Sequence, residues 1–128
     1  MSYHFSKTLQ VSFDDAIARV MAALQAEGFG VLTEIDVKAT LKKKLDVDFR
    51  EYRILGACNP TLAYQALQLE DKIGTMLPCN VLVQETDDGQ VEVSAIDPIA
   101  SMQAIDNPAL GEVAVNVQAK LRGVIESL

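Results

Sequence analysis

Two cysteines and one histidine are all that the 128 residues offer for disulfide frameworks and closed zinc sites. A four-ligand site cannot be assembled from that stock without carboxylate help, and a framework needs more bridges than one. Basic charge is short as well. Eleven Lys and Arg stand against 18 Asp and Glu, a formal net charge of -7, whereas phosphate-binding surfaces are built from clustered Lys and Arg. Nucleic acid and anionic membranes are therefore not expected partners. No apolar run approaches the roughly 18 residues of a membrane-spanning helix. Met1 to Val11 interleaves His4, Ser6, Lys7, Thr8 and Gln10 with apolar residues, so it does not resemble a signal peptide, and a cytoplasmic location is expected. Enzyme signatures are missing too. There is no Gly-rich phosphate loop, GxSxG elbow or CxxC pair, and His4 has no obvious Ser or Cys partner. Asp14, Asp15, Asp87, Asp88 and Glu92 fall at a cap, a turn and an exposed strand face, which suits solubility better than paired-carboxylate catalysis. A hydrolase is not expected.

What is present is an ordinary globular composition, 49% hydrophobic and 23% charged. A chain of this length buries roughly two thirds of its unfolded surface in one core, so residues 1-128 read as a single domain with no linker or internal repeat. Tyr3 to Val11 alternates apolar and polar residues, as a half-buried strand does, with His4 turned away from the apolar side. Ser12, with Asp15 three residues on, caps a helix carrying Phe13, Ile17, Val20, Met21 and Leu24 at helical spacing, and Gly28 stops it. Phe29 to Val37 alternates again. Val37, Leu41 and Leu45 then mark a short helix over Lys38 to Leu45, whose other face bears Lys42, Lys43 and Lys44. Tyr52 to Cys58 reads as a third strand. Asn59-Pro60 is an N-cap with the N1 proline that presets a first helical turn, and Leu62, Ala66, Leu69 and Ile73 form the buried stripe up to Gly74. Cys79 to Thr86 and Val91 to Asp97 flank an Asp/Gly turn and make a hairpin. Pro98 to Asp106 reads as loop. Asn107-Pro108 repeats the cap signal before Leu110, Val113, Val117, Leu121, Val124 and Leu128, the stripe of a long terminal helix.

The simplest architecture for this order is α+β, a mainly antiparallel sheet of about five strands with helices packed mainly on one face. The stretches GVLTEIDVKATLKKKLDVDF (Gly30 to Phe49), YRILGACNPTLAYQAL (Tyr52 to Leu67), IGTMLPCNVLV (Ile73 to Val83) and VEVSAIDP (Val91 to Pro98) resemble the domain of unknown function 302 family in order and over most of the chain. The resemblance implies a TBP-like α+β domain, often a homodimer. It implies no reaction and no cofactor, since the family has no assigned activity. Its most characteristic residues here are Cys58-Asn59 before Pro60, Cys79-Asn80 after Pro78, and Asp97-Pro98.

Those positions are also where chemistry could sit. Cys58 ends a strand just before a helix N-terminus, whose unpaired N-H groups and dipole favour an anion and lower a thiol pKa. Cys79 starts a strand, and adjacent strands could bring the two sulfurs together. Against this stands the commoner role of free Cys, in which both are small buried hydrophobes. Zinc or copper on Cys58, Cys79 and Asp97, with His4, lacks motif spacing, so no metal ligand is assigned. A small-ligand site at strand ends, formed by Cys58, Asn59, Cys79, Asn80 and Asp97, is the leading expectation. Lys38 and Lys42 could add positive charge to it, although Asp36, Asp46 and Asp48 flank the lysine run as on a solvated helix face. A thiol-dependent redox enzyme using Cys58 or Cys79 is one alternative. A structural module pairing with itself through an uncovered sheet face is the other.

Overall fold

The structure, a computed structural model, describes residues 2-128. In chain order it comprises β1 (His4-Leu9), α1 (Phe13-Ala26), β2 (Gly30-Asp36), α2 (Val37-Leu45), β3 (Tyr52-Cys58) and α3 (Pro60-Leu69). A 3-10 turn (Asp71-Met76), β4 (Cys79-Glu85), β5 (Val91-Ile96), α4 (Pro98-Ser101) and α5 (Leu110-Glu126) complete it. The sheet order is β1-β5-β4-β3-β2, with every neighbouring pair antiparallel. Strands β2 to β5 form a meander. Helix α1 carries the chain from the β1 edge to the β2 edge.

Alternation in burial along β1, β4 and β5 divides the sheet into two unlike faces. The edge strand β2, whose register shifts between Val31 and Thr33, does not show the alternation expected from its sequence, and Leu32 to Ile35 are all exposed. On one face of the sheet, Leu9, Leu55, Val81, Val83, Val91 and Val93 are buried. They pack with Val20 and Leu24 of α1, Leu62 and Ala66 of α3, and Leu121 and Val124 of α5 in one core. Each fully buried Val or Leu contributes roughly 1.5-3 kcal/mol. The other face shows His4, Ser6, Thr8, Asn80, Leu82, Gln84, Glu92 and Ser94 at exposed or half-exposed positions. The α+β architecture with a five-stranded antiparallel sheet is thus the one expected from the order of elements.

Local signals account for the boundaries. Ser12 Oγ accepts from Asp15 N at 3.1 Å at the start of α1. At its end Gly28 takes φ +84°, its N-H donates to Gln25 O, and Phe29 N-H donates to Leu24 O. That pattern closes two orphan carbonyls and leaves Leu24 and Phe29 both buried.

Three expectations need correction. Helix α3 stops at Leu69, because Glu70 is extended at φ -147°, and Ile73 reaches the core from the separate 3-10 turn. Pro98 to Asp106 is not all loop. Asp97 Oδ1 accepts from Ile99 N at 3.0 Å and caps the short α4. Asn107 is not the cap residue of α5, which begins at Leu110 after Ala109. Its Oδ1 instead accepts from Ala109 N at 3.1 Å, and its Nδ2 donates to Leu69 O at 2.8 Å, tying the entry of α5 to the end of α3.

Candidate functional site

The strand registers bring all five residues singled out from sequence to one end of the sheet. Ala57 pairs with Cys79, Gly30 with Cys58, Val81 with Ala95, and His4 with Ile96. Cys58 therefore closes β3 beside the start of β4, and Asp97 leaves β5 on the other side of β4. Their environments differ, however: two concavities share Leu77, Pro78 and Cys79, and a third runs across the opposite sheet face.

The first is a cavity of about 30 Å³ beneath the strand ends, whose walls include Phe29, Ala57, Cys58, Asn59, Leu62, Ala66, Cys79 and Met102. It is almost wholly apolar and has room for little more than one or two water-sized groups. Both cysteines are free thiols, Cys58 half-buried and Cys79 buried. Strand alternation puts Cys79 on the helix-covered side with Ala57 and turns Cys58 the other way, although both residues line the cavity. Burial, and secondarily the neighbouring Cys58, push the Cys79 thiol up from 9.0 to about 11. A thiol so placed stays protonated at neutral pH, the opposite of an activated nucleophile. Asn59 has a structural task as well, since its Oδ1 accepts from Leu62 N at 3.2 Å as the cap of α3.

The second concavity is an open cleft of about 270 Å³ on the other side of the Leu77-Cys79 segment, lined by Thr75, Met76, Leu77, Pro78, Cys79, Asn80, Ile96 and Ser101. The Leu77-Pro78 peptide is cis. The Pro78 ring lies over Gly56, where an added Cβ would come within 2.7 Å of Pro78 Cγ and 2.1 Å of Thr33 Oγ1. Glycine at 56 is what allows this close approach. Asn80 is exposed and lines the cleft. It also lines the third concavity, a groove of about 380 Å³ across the bare face with Tyr3, His4, Tyr52, Gln84, Glu92 and Ser94.

Asp97 lines none of these. Its Oδ1 accepts from Ile99 N and from Gln118 Nε2 at 3.1 Å, joining α4 to α5. The lysines do not reach the site either: Lys38 pairs with Glu51 at 3.5 Å, and Lys42 with Asp46 at 3.1 Å and Asp48 at 3.3 Å.

Sequence reasoning missed several residues. Thr75, Ser101 and Met102 come from irregular or very short segments, which leave no periodic signal. His4, read as having no obvious Ser or Cys partner, has its Nδ1 2.7 Å from Ser6 Oγ, which lies 2.7 Å from Ser94 Oγ. The first partner was readable, because residues two apart on a strand share a face. The second depends on the β1-β5 register. Among the described residues no group of three or more His, Cys, Asp or Glu is placed to hold a metal ion, and no helix is long and apolar enough to cross a membrane.

A protein-family model described as "Domain of unknown function DUF302" matches residues 5-128. The chain belongs to that family. A solved structure titled as that of an uncharacterized conserved protein DUF302 from Bacillus stearothermophilus is similar to it at 28% identity and a TM-score of 0.91, with 98% of each chain covered. No curated protein matches. The DUF302 membership fits the long motifs that contain Cys58-Asn59, Cys79-Asn80 and Asp97-Pro98, at the strand ends that build this end of the sheet.

Proposed function

We propose that this domain binds a small polar molecule in the cleft at the end of the sheet, with Asn80 and Ser101 as hydrogen-bonding groups and Pro78, Cys79 and Ile96 as its apolar wall. Cys58 and Asn59 support that wall from the other side. The observation that carries the reading is the cleft itself: about 270 Å³ with Cys79 and Asn80 in its lining, close to the lower bound of about 300 Å³ for small-ligand sites. Two free thiols suit the reducing cytoplasm, where we place the protein. A thiol-dependent reaction is the weaker reading of the same residues, because burial holds Cys79 protonated. Native mass spectrometry of protein purified without dialysis tests the binding reading. A co-purifying small molecule should be present on the wild type and absent from Thr75→Trp, which fills the cleft from an exposed position. Equal retention by Thr75→Trp would place the ligand elsewhere.

Self-association is a second part of the proposal. It is favoured by Leu32, Ile35, Leu45 and Val47, which are 68%, 47%, 66% and 43% exposed along β2, α2 and the segment that follows. The bare sheet face carries His4, Ser6, Thr8 and Glu92, so the apolar surface that a homodimer would cover lies at the β2 edge rather than across the sheet. Sedimentation equilibrium should show a dimer that Leu32→Glu converts to monomer; a monomeric wild type would remove this part.

A further inference from the structure

We propose that the cleft at the end of the sheet takes an uncharged planar ring whose edge carries N-H donors beside one acceptor, as aromatic carboxamides and amino-substituted nucleobases do. The inference rests on the cleft as the binding site and adds the chemical class of its ligand. The charge of that ligand follows from the walls. Among the described residues that line the cleft there is no Lys, Arg, His, Asp or Glu. Its one ionisable group, the Cys79 thiol, is held neutral by burial, which pushes its pKa up to about 11. A carboxylate, phosphate or ammonium entering there would lose water and gain no countercharge, which strongly disfavours it. The protein's net charge of -7 repels anions further.

The hydrogen-bonding sense of the ligand follows from where the hydroxyl protons go. Thr75 Oγ1 donates to Lys72 O at 2.9 Å, and Ser101 Oγ donates to Pro98 O at 3.2 Å. With those protons committed to backbone carbonyls, both hydroxyls present only lone pairs to the cleft, and a ligand must meet them with N-H groups. Asn80 is exposed at the start of β4, and its carboxamide offers a donor and an acceptor side by side. That pair fits an amide edge, or an amino group beside a ring nitrogen, in the bidentate manner by which Asn reads adenine. Leu77, Pro78 and Ile96 give a flat apolar wall for the ring, and the partly exposed Met76 thioether adds a soft contact. A cleft of about 270 Å³ lies just under the usual range for ligand sites. It suits a single ring better than a nucleotide, whose phosphates would also meet no cation.

Isotope-labelled protein is titrated separately with nicotinamide, N,N-dimethylnicotinamide, nicotinate and cytosine, and the Asn80 side-chain and Ser101 backbone amide signals are followed by NMR. Nicotinamide should bind at least tenfold more tightly than its dimethyl analogue, which lacks N-H donors, and than nicotinate, which is charged. Tighter binding of cytosine than of nicotinamide would assign the amino-substituted ring; the reverse order would assign the carboxamide. Thr75→Val combined with Ser101→Ala removes both acceptors. It should lower nicotinamide to the affinity of the dimethyl analogue and leave that analogue unchanged. The wild-type series stands by itself if the double variant does not fold. The proposal is overturned if nicotinate or the dimethyl analogue binds as well as nicotinamide, if the double variant weakens both amides alike, or if neither nicotinamide nor cytosine binds. Any of these results beside a co-purifying molecule that Thr75→Trp excludes would sink this inference alone, whereas retention of that molecule by Thr75→Trp would remove the cleft reading beneath it.

Discussion

Substituting Gly56 by alanine probes the joint on which the site is built. The new Cβ would stand 2.1 Å from Thr33 Oγ1 and 2.7 Å from Pro78 Cγ, both closer than real Cβ contacts allow. Thr33 is exposed and its hydroxyl can rotate away. Pro78 has a closed ring at the entry to β4, so relief there requires β3 and β4 to shift. Two contacts this short put the overpacking in the upper part of its usual range, about 2-3 kcal/mol, and the lower unfolded-state entropy of alanine offsets about 0.4-1 kcal/mol of it, leaving a net loss of roughly 1-2.5 kcal/mol. With an unfolding entropy of about 2.1 cal/mol/K per residue, the Tm should fall by roughly 4-9 °C for a chain of this length. Urea unfolding followed by circular dichroism, with calorimetry for Tm, measures this. Thr33→Ala added to Gly56→Ala should restore only part of the loss, because the proline contact remains. A Gly56→Ala variant within 0.5 kcal/mol of the wild type, or complete rescue by Thr33→Ala, would refute the reasoning.

Other consequences are simpler to check. Because Cys79 keeps its proton to about pH 11 in the native state against 9.0 ordinarily, the folded protein binds more protons than the unfolded chain between those values. Its contribution to stability is complete below pH 9 and is lost as pH rises toward 11, by about 2-3 kcal/mol; the difference between wild-type and Cys79→Ala unfolding curves should carry that slope. Iodoacetamide mapping should accordingly label Cys58 in the folded protein at pH 8 while sparing Cys79, and fast labelling of Cys79 would contradict its burial. Asn59→Ala should cost about 1 kcal/mol through the lost cap bond to Leu62 N, and Asn59→Asp should recover most of it; equal losses would mean that Asn59 does something other than cap. Asp97→Ala should destabilise by about 1-2 kcal/mol, since two hydrogen bonds lose their acceptor, yet leave ligand retention unchanged in the folded fraction.

The parts of the fold legible in the sequence were those written in periodic burial and capping. Period-two alternation marked β1 and also β2, although β2 does not alternate in burial; Ser12 and Asn59 marked helix starts and Gly28 marked a stop, because each of these three acts through a bond within four residues. What escaped depended on tertiary placement. Ile73 sits at helical spacing from Leu69 yet belongs to another turn, and Asn107 looks like a cap but reaches across to Leu69 O. The site divides along the same line. The strand-end and cap residues Cys58, Asn59, Cys79 and Asn80 were readable from their motifs, and antiparallel pairing of β3 with β4 brings them to one sheet end. Asp97, read from the same kind of motif, is taken up by Ile99 N and Gln118. No local pattern announces that Thr75, Ser101 and Met102 complete the walls, since contacts distant in sequence position them.

Backbone NMR shift mapping tests the central claim most directly. Isotope-labelled protein is titrated with a panel of small polar fragments and, separately, with the co-purifying molecule. The predicted result is a compact set of shifts at Thr75, Cys79, Asn80 and Ser101 that Thr75→Trp abolishes. Shifts confined to His4, Ser6 and Ser94 on the bare sheet face, or none at the sheet end with any ligand, would contradict it.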